Sequence, residues 1–357
     1  MLLQSIAVQL VWFGLILAVP LNDRYEGDRC KLVDGSSDGI CRHHSACPYL
    51  KTVPNKDWVT CSFDKDQPIV CCREEQAVPF RTVTQVRVAA KSELKCAGFS
   101  ESSDINEHIW NGVEAAPDEF PHVAALGYPA KNEETLFRCG ASLISSQYLL
   151  TAAHCLIPER PTFARLGVTH LFEYNENDPP VDVAIKNVVI HPKYTARPLT
   201  NDIALLELNR TINEAFLIPA CLYTNATDPP TNVSLSIEGW GSTDPNDIGI
   251  SPVLLKANVT SLDRGACNDT LSKDKSRRSA GELQNTQLCA LGRNAQNETV
   301  GDTCVGDSGG PLELIQARRR YIVGVTSNGK LCGSSWPGIY TRVSHYLDWI
   351  ESIVWPG

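Results

Sequence analysis

Six cysteines crowd into 43 residues, at Cys30, Cys41, Cys47, Cys61, Cys71 and Cys72, and this constrains the fold of the chain more than any other feature. A segment that short cannot build much hydrophobic core, so cross-links must hold it. Gly35, Gly39, Pro48, Pro54 and Pro68 punctuate it with turns. Spacing alone does not choose among the pairings that six cysteines allow. The adjacent Cys71 and Cys72 are expected to bond outward to two different partners. The chain holds 14 cysteines in all, an even number, so bridges could use every one. Such a density calls for an oxidising compartment.

The start of the chain agrees with that compartment. Residues 1–18 (MLLQSIAVQLVWFGLILA) are apolar and uncharged in their side chains, too short to span a bilayer, and followed by the polar NDRYEGDRC. They read as a signal peptide, although no Lys or Arg precedes Arg24; the alternative is a signal anchor. No later segment is long and apolar enough for a span. Asn-x-Ser/Thr sequons at Asn209, Asn225, Asn232, Asn258, Asn268 and Asn297 fit a glycosylated, secreted surface. The net charge of -9, with no dominant basic patch, excludes nucleic acid as a partner.

Residues 73–108, poor in cysteine and rich in polar side chains, read as a linker and activation segment. From residue 109 short apolar runs alternate with Gly, Pro and Asn turns: HVAALGY, ASLISSQYLLTAA, VDVAIKNVVIHP, DIALLEL, VSLSIEGWG, YIVGVTS and GIYTRV. Many short strands at this spacing predict an all-β sandwich or barrel. The last stretch, SHYLDWIESIV, has the apolar spacing of a short amphipathic helix.

Three motifs carry chemistry: Thr-Ala-Ala-His-Cys at 151–155, Asn-Asp-Ile-Ala-Leu-Leu at 201–206 and Gly-Asp-Ser-Gly-Gly-Pro at 306–311. A serine hydroxyl is a poor nucleophile near neutral pH and needs an adjacent base. Histidine suits that task, and a buried carboxylate can fix its tautomer and stabilise the imidazolium. Ser308, His154 and Asp202 fit these three roles. Gly306 and Ser308 would supply backbone amides to an oxyanion.

With those motifs, residues 109–357 resemble the trypsin/chymotrypsin family. The resemblance implies two six-stranded antiparallel β-barrels with the site in the cleft between them. Residues 30–72 resemble the clip domain of arthropod proteases, and the combination resembles clip-domain serine proteases of haemolymph. The implied pairings are Cys30–Cys71, Cys41–Cys61 and Cys47–Cys72 in the clip module. In the protease they are Cys139–Cys155, Cys267–Cys289 and Cys304–Cys332, with Cys96–Cys221 as the tether between pro-region and protease. Asp302 stands where trypsin-like enzymes carry the acid at the floor of the specificity pocket. Gly329 and Gly338 stand at its small positions, so the implied preference is for Arg or Lys. Asn328 replaces a usual aromatic wall, and Thr303 a usual Ser or Ala.

The implied activating cut falls between His108 and Ile109, after which the new ammonium would pair with Asp307. His108 is not the Arg or Lys usual there, a trait similar to the Persephone/Snake-type subgroup of clip proteases. No cofactor is needed for the chemistry. Glu173, Glu176, Asp178 and Asp182 lie where some relatives bind calcium, but Val168 stands at the first ligand position. His43 and His44 read as surface histidines rather than metal ligands. The implied partners are an upstream activating protease, a downstream protease zymogen as substrate, and a serpin inhibitor. The implied setting is an immune, melanisation or developmental cascade. A digestive trypsin is opposed by the clip module, sequons and His108, and a non-catalytic binding homologue by Ser308.

Overall fold

The computed structural model describes residues 29–32, 38–44, 47, 59–64, 67–73, 90–101, 112–129, 136–173, 179–242, 249–273, 283–293, 299–301, 304–329 and 336–357. They belong to two compact units, Met1–Arg87 and Val88–Gly357. The expectations for residues 1–18, His108, Ile109, Glu176, Asp178, Asn297, Asp302, Thr303 and Cys332 fall outside the described residues.

In the first unit β1 (Arg29–Lys31), β2 (Asp38–His43), β3 (Thr60–Asp64) and β4 (Gln67–Arg73) form one sheet in the order β1-β2-β4-β3. Its interior is largely sulfur. Successive residues of a strand face opposite sides, so Cys71 joins Cys30, Cys41, Cys61, Leu32 and Ile69 on one face. Cys72 instead joins Cys47 and Val70 on the other. The bridges are Cys30–Cys71, Cys41–Cys61 and Cys47–Cys72. The pleat thus sends the two neighbouring cysteines to different partners. His44 is half-buried rather than at the surface.

The second unit opens with helix α1 (Lys91–Ala97) and β5 (Val113–Glu114). Helix α1 therefore interrupts the linker expected over residues 73–108. The first barrel uses β6 (Val123–Tyr128), β7 (Leu136–Ser145), β8 (Tyr148–Thr151), β9 (Phe163–Leu166) and β10 (Val181–Ile190). After the short hairpin β11 (Thr195–Ala196) and β12 (Leu199–Thr200), β13 (Ala204–Leu208) closes it in the order β10-β13-β8-β7-β6-β9.

The two-residue strand β14 (Cys221–Leu222) leads to the second barrel: β15 (Ser234–Gly239), β16 (Leu255–Leu262), β17 (Gln287–Arg293), β19 (Pro311–Gln316), β20 (Arg319–Asn328) and β21 (Gly338–Arg342). Pairing of β16 with β17 turns this sheet into a six-stranded ring. β18 (Thr299–Gly301) and β5 extend it, and β14 pairs with β20 in parallel. Helix α2 (Arg264–Ser272) is capped by Asp263, whose side chain accepts from the N–H groups of Gly265 and Ala266. Helix α3 (Leu347–Val354) ends the chain. Its Leu347, Ile350 and Val354 join the core of the first barrel with Leu126, Leu143 and Leu205. The architecture is the chymotrypsin-like double barrel, with a disulfide-rich clip module before it.

Candidate active site

His154 lies in a short 3-10 turn, Ala153–Leu156, directly after β8. The next residue, Cys155, is bridged to Cys139 of β7, which anchors the turn to the barrel. Closing a loop of that size contributes about 3 kcal/mol in the chain-entropy picture. Tyr128 Oη donates to the carbonyl of Cys155 at 2.7 Å. Asp202 is 1% exposed. Its carboxylate accepts the backbone N–H of His154 at 2.9 Å and lies 2.7 Å from His154 Nδ1. It also accepts the hydroxyl of Ser327 at 2.6 Å, while its backbone carbonyl accepts Thr341 Oγ1 at 2.8 Å. Three donors converge on one carboxylate, which stabilises its charge and fixes its direction. A carboxylate on Nδ1 selects the tautomer that leaves Nε2 as an acceptor.

Ser308 sits in a tight loop between β18 and β19. Its carbonyl accepts the N–H of Gly140, at 2.8 Å, and the loop is closed by Gly310 N–H to Asp307 O at 2.9 Å. Gly309 N–H donates to Thr326 O, at 2.8 Å, and Thr326 N–H to Gly310 O at 2.9 Å. Among the described residues the Gly306 and Ser308 amides donate to no other group, and Ser308 Oγ makes no hydrogen bond to His154. Gly306 holds φ +105°, and a Cβ there would stand 2.9 Å from Gly241 Cα. Only glycine fits that left-handed, crowded position.

Asp307 keeps some exposed surface, but its carboxylate is enclosed by Gly239 and Gly241, where a Cβ would collide with it. It accepts the N–H groups of Gly241 and Cys304, each at 2.7 Å. Burial pushes Asp307 up to about 6, and these two backbone donors offset only part of that rise. The group is thus a carboxylate with backbone donors and no cation on it among the described residues.

Of the expected pocket residues, Gly338 is buried beneath Tyr340, and Gly329 is exposed, with nothing among the described residues within 4 Å of where a Cβ would be. Cys96 is bonded to Cys221, and Cys267 to Cys289. Cys304 is also in a disulfide. Asn209, Asn225 and Asn232 are exposed, whereas Asn258 and Asn268 are half-buried. The calcium expectation meets a competing cation. Asp182 is paired through both oxygens with Arg165 Nε and Nη2, at 2.8 and 2.7 Å. Arg165 Nη1 also donates to the carbonyl of Leu171 at 2.6 Å. A guanidinium so placed already occupies both oxygens of Asp182.

Sequence reasoning missed Ser327 and Thr341, which hold Asp202, because neither sits in a motif with its own chemical signature. It also missed a buried ionic group. Lys256 Nζ lies 2.5 Å from Glu119 Oε1, and Glu313 contacts both Arg320 and His122. The available signal was the acid inside apolar strands, Glu238 in VSLSIEGWG and Glu313 in PLELIQ. Burial raises Glu313, but Arg320 and His122 outweigh it and hold the carboxyl low. Burial and neighbouring Glu313 together push Glu238 well up.

Comparison with known proteins agrees with this architecture. The family described as Trypsin matches residues 109–350. Serine protease Hayan of Drosophila melanogaster is 38% identical over 279 residues, which is 75% of this chain but only 42% of that protein. The CLIP domain-containing serine protease C9 of Anopheles gambiae is 35% identical over 69% of this chain and 68% of its own. Phenoloxidase-activating factor 1 of Holotrichia diomphalia is 32% identical over 81% of each chain. With the double barrel, the clip module and these matches in agreement, the chain belongs to the trypsin family and, within it, to the arthropod clip-domain serine proteases.

Proposed function

We propose that this chain is the secreted zymogen of a trypsin-like serine endopeptidase, switched on by cleavage between His108 and Ile109 and cutting after Arg or Lys. The observation that carries the reading is the buried Asp202 carboxylate on His154 Nδ1, beside a serine loop with two uncommitted amides. In the reaction, Ser308 Oγ attacks the scissile carbonyl carbon and its proton passes to His154 Nε2. The carbonyl oxygen becomes an oxyanion that accepts from Gly306 and Ser308 N–H. Asp202, whose oxygen facing Nδ1 also accepts the Ser327 hydroxyl, stabilises the imidazolium without taking its proton. His154 then protonates the leaving amine, and water enters by the same base to release the acyl group. The missing Ser308–His154 hydrogen bond suits an uncut, substrate-free chain, in which such bonds form late. Asp302 would balance the substrate cation, with Gly329 and Gly338 leaving room for its side chain.

Relatives named as phenoloxidase-activating proteins support a place in an extracellular proteolytic cascade of the melanisation or immune type. The partners would be an upstream protease, a downstream zymogen and a serpin. The test is to expose purified zymogen to candidate activating proteases and follow the new N-terminus together with hydrolysis of Arg peptides. Wild type cut before Ile109 should hydrolyse them, and Ser308→Ala cut at the same bond should not. Equal hydrolysis by the two would refute the assignment of the nucleophile.

A further inference from the structure

We propose that Asn328 is a specificity-determining residue: its side chain caps the backbone edge of the cleft, and an extended substrate must displace it before pairing there. The inference rests on the protease reading above. Thr326 is in register with Tyr340 of β21 and exchanges hydrogen bonds with the nucleophile loop, through Gly309 and Gly310. The register then slips between Thr326 and Asn328, so Ser327 is the extra residue of a bulge. Bulges re-aim side chains, and here the Ser327 hydroxyl turns into the site to meet Asp202 at 2.6 Å.

The two residues after Ser327 leave the site at its rim. Asn328 is half-buried and still opposite Ile339, whereas Gly329 is exposed, with nothing among the described residues within 4 Å of where its Cβ would be. The same strand is bonded to the nucleophile loop through Thr326, so the backbone at 328–329 is the continuation of the site's wall that a peptide on Ser308 could meet. An open strand end with an unpaired amide is a template for an extended chain. In this protein the amide is already used: Gly329 N–H donates to Asn328 Oδ1 at 2.9 Å.

A side chain on its own neighbour's amide competes directly with a substrate carbonyl. Exchange of one neutral hydrogen bond corresponds to about fivefold in a binding or rate constant. A substrate that makes no contact at Gly329 does not meet this competition. The consequence is a cleft that discriminates weakly along the extended part of a peptide and reads mainly the residue at the cut.

The experiment uses full-length protein cleaved before Ile109, with the new N-terminus confirmed. It compares kcat/KM for an Arg tetrapeptide amide with that for a single acylated Arg amide, as a ratio within each protein. Wild type, Asn328→Ala and Asn328→Asp are measured. Asn328→Ala, which removes the cap, should raise the tetrapeptide-to-single ratio about fivefold. Asn328→Asp, whose carboxylate can accept the same N–H, should keep the wild-type ratio. The ratio does not depend on how much of a variant folds. An unchanged or lowered ratio in Asn328→Ala, or a ratio in Asn328→Asp that rises with it, would overturn the cap. Failure of cut wild type to hydrolyse either substrate would instead overturn the protease reading itself.

Discussion

Asp307 is a carboxyl whose surroundings oppose its ordinary charge. In the uncut chain its carboxyl titrates near 6, against 3.8 for the group in its ordinary state. Between those values the folded chain holds a proton that the unfolded chain has released. By linkage, the stability so gained is fully present below about pH 4 and is lost as pH rises through about 6. Asp307→Asn abolishes this titration. Urea midpoints of the two uncut proteins, taken from pH 4 to pH 7, should therefore diverge, with Asp307→Asn gaining on wild type as pH rises. Parallel curves would show that Asp307 does not titrate in that window. In the proposed switch, cleavage before Ile109 would reverse the sign for wild type, because an ammonium brought to Asp307 would favour its ionised form. The sequence placed Asp307 beside the nucleophile but held no sign of Gly239 and Gly241, 66 or more residues earlier, closing over its carboxylate. The motifs make a residue's type legible, whereas its titration depends on what the fold packs against it.

Elements were legible where burial imposes a period. The runs named for seven stretches of the protease coincide with β6, β7, β8, β10, β13, β15, β20 and β21, and SHYLDWIESIV contains α3. β9, β16, β17 and β19 carry mixed polar residues and escaped notice, although β16 and β19 are central to the second barrel. α1 was illegible for a different reason. It spans only seven residues, KSELKCA, and its N-cap Ala90 has no side-chain hydrogen bond to offer. The cap comes instead from α3: Glu351 Oε1 accepts both Ser92 N–H, at 3.1 Å, and Ser92 Oγ, at 2.6 Å. Lys91 Nζ donates to Trp355 O at 3.0 Å, and Arg319 reaches the carbonyls of Cys96 and Phe99. Helix ends need such partners, and no local pattern reveals one that lies 259 residues away. Glu351→Ala should therefore destabilise the protease unit by about 1–2 kcal/mol with all disulfides intact, the usual effect of losing a cap and a buried hydroxyl's partner. Urea unfolding followed by tryptophan fluorescence, with Trp349 and Trp355 close at hand, reports it. An unchanged midpoint would mean that the Cys96–Cys221 bridge and the Lys91 and Arg319 contacts hold α1 without Glu351.

At the scale of the whole molecule, the proposed switch couples a cut in the segment before the barrels to the order of the Gly306–Ser308 loop inside them. An ammonium on Ile109 would be costly to bury alone, so its insertion depends on the Asp307 carboxylate that waits between Gly239 and Gly241. Asp307 also accepts the N–H groups of Cys304 and Gly241, so a shift of its side chain would be transmitted directly to the loop proposed to present the oxyanion amides. Who makes the cut depends on the residue before it. His108 offers an imidazole in place of the permanent cation of Arg or Lys, which an acidic specificity pocket is built to pair. A trypsin-like enzyme, including the activated form of this chain, should thus cut there poorly. His108→Arg changes only what the activating enzyme recognises and leaves Ile109, Asp307 and the catalytic residues as they are. Wild type and His108→Arg, given matched exposure to trypsin, should therefore separate by at least about tenfold in the rate at which Arg-peptide hydrolysis appears, a difference of one pocket ion pair made or left unmade. N-terminal sequencing must show Ile109 in the variant, because trypsin also meets Arg277 and Arg278 in the same chain. Equal rates of activation, with Ile109 exposed equally in both proteins, would show that His108 does not restrict who can switch this protease on.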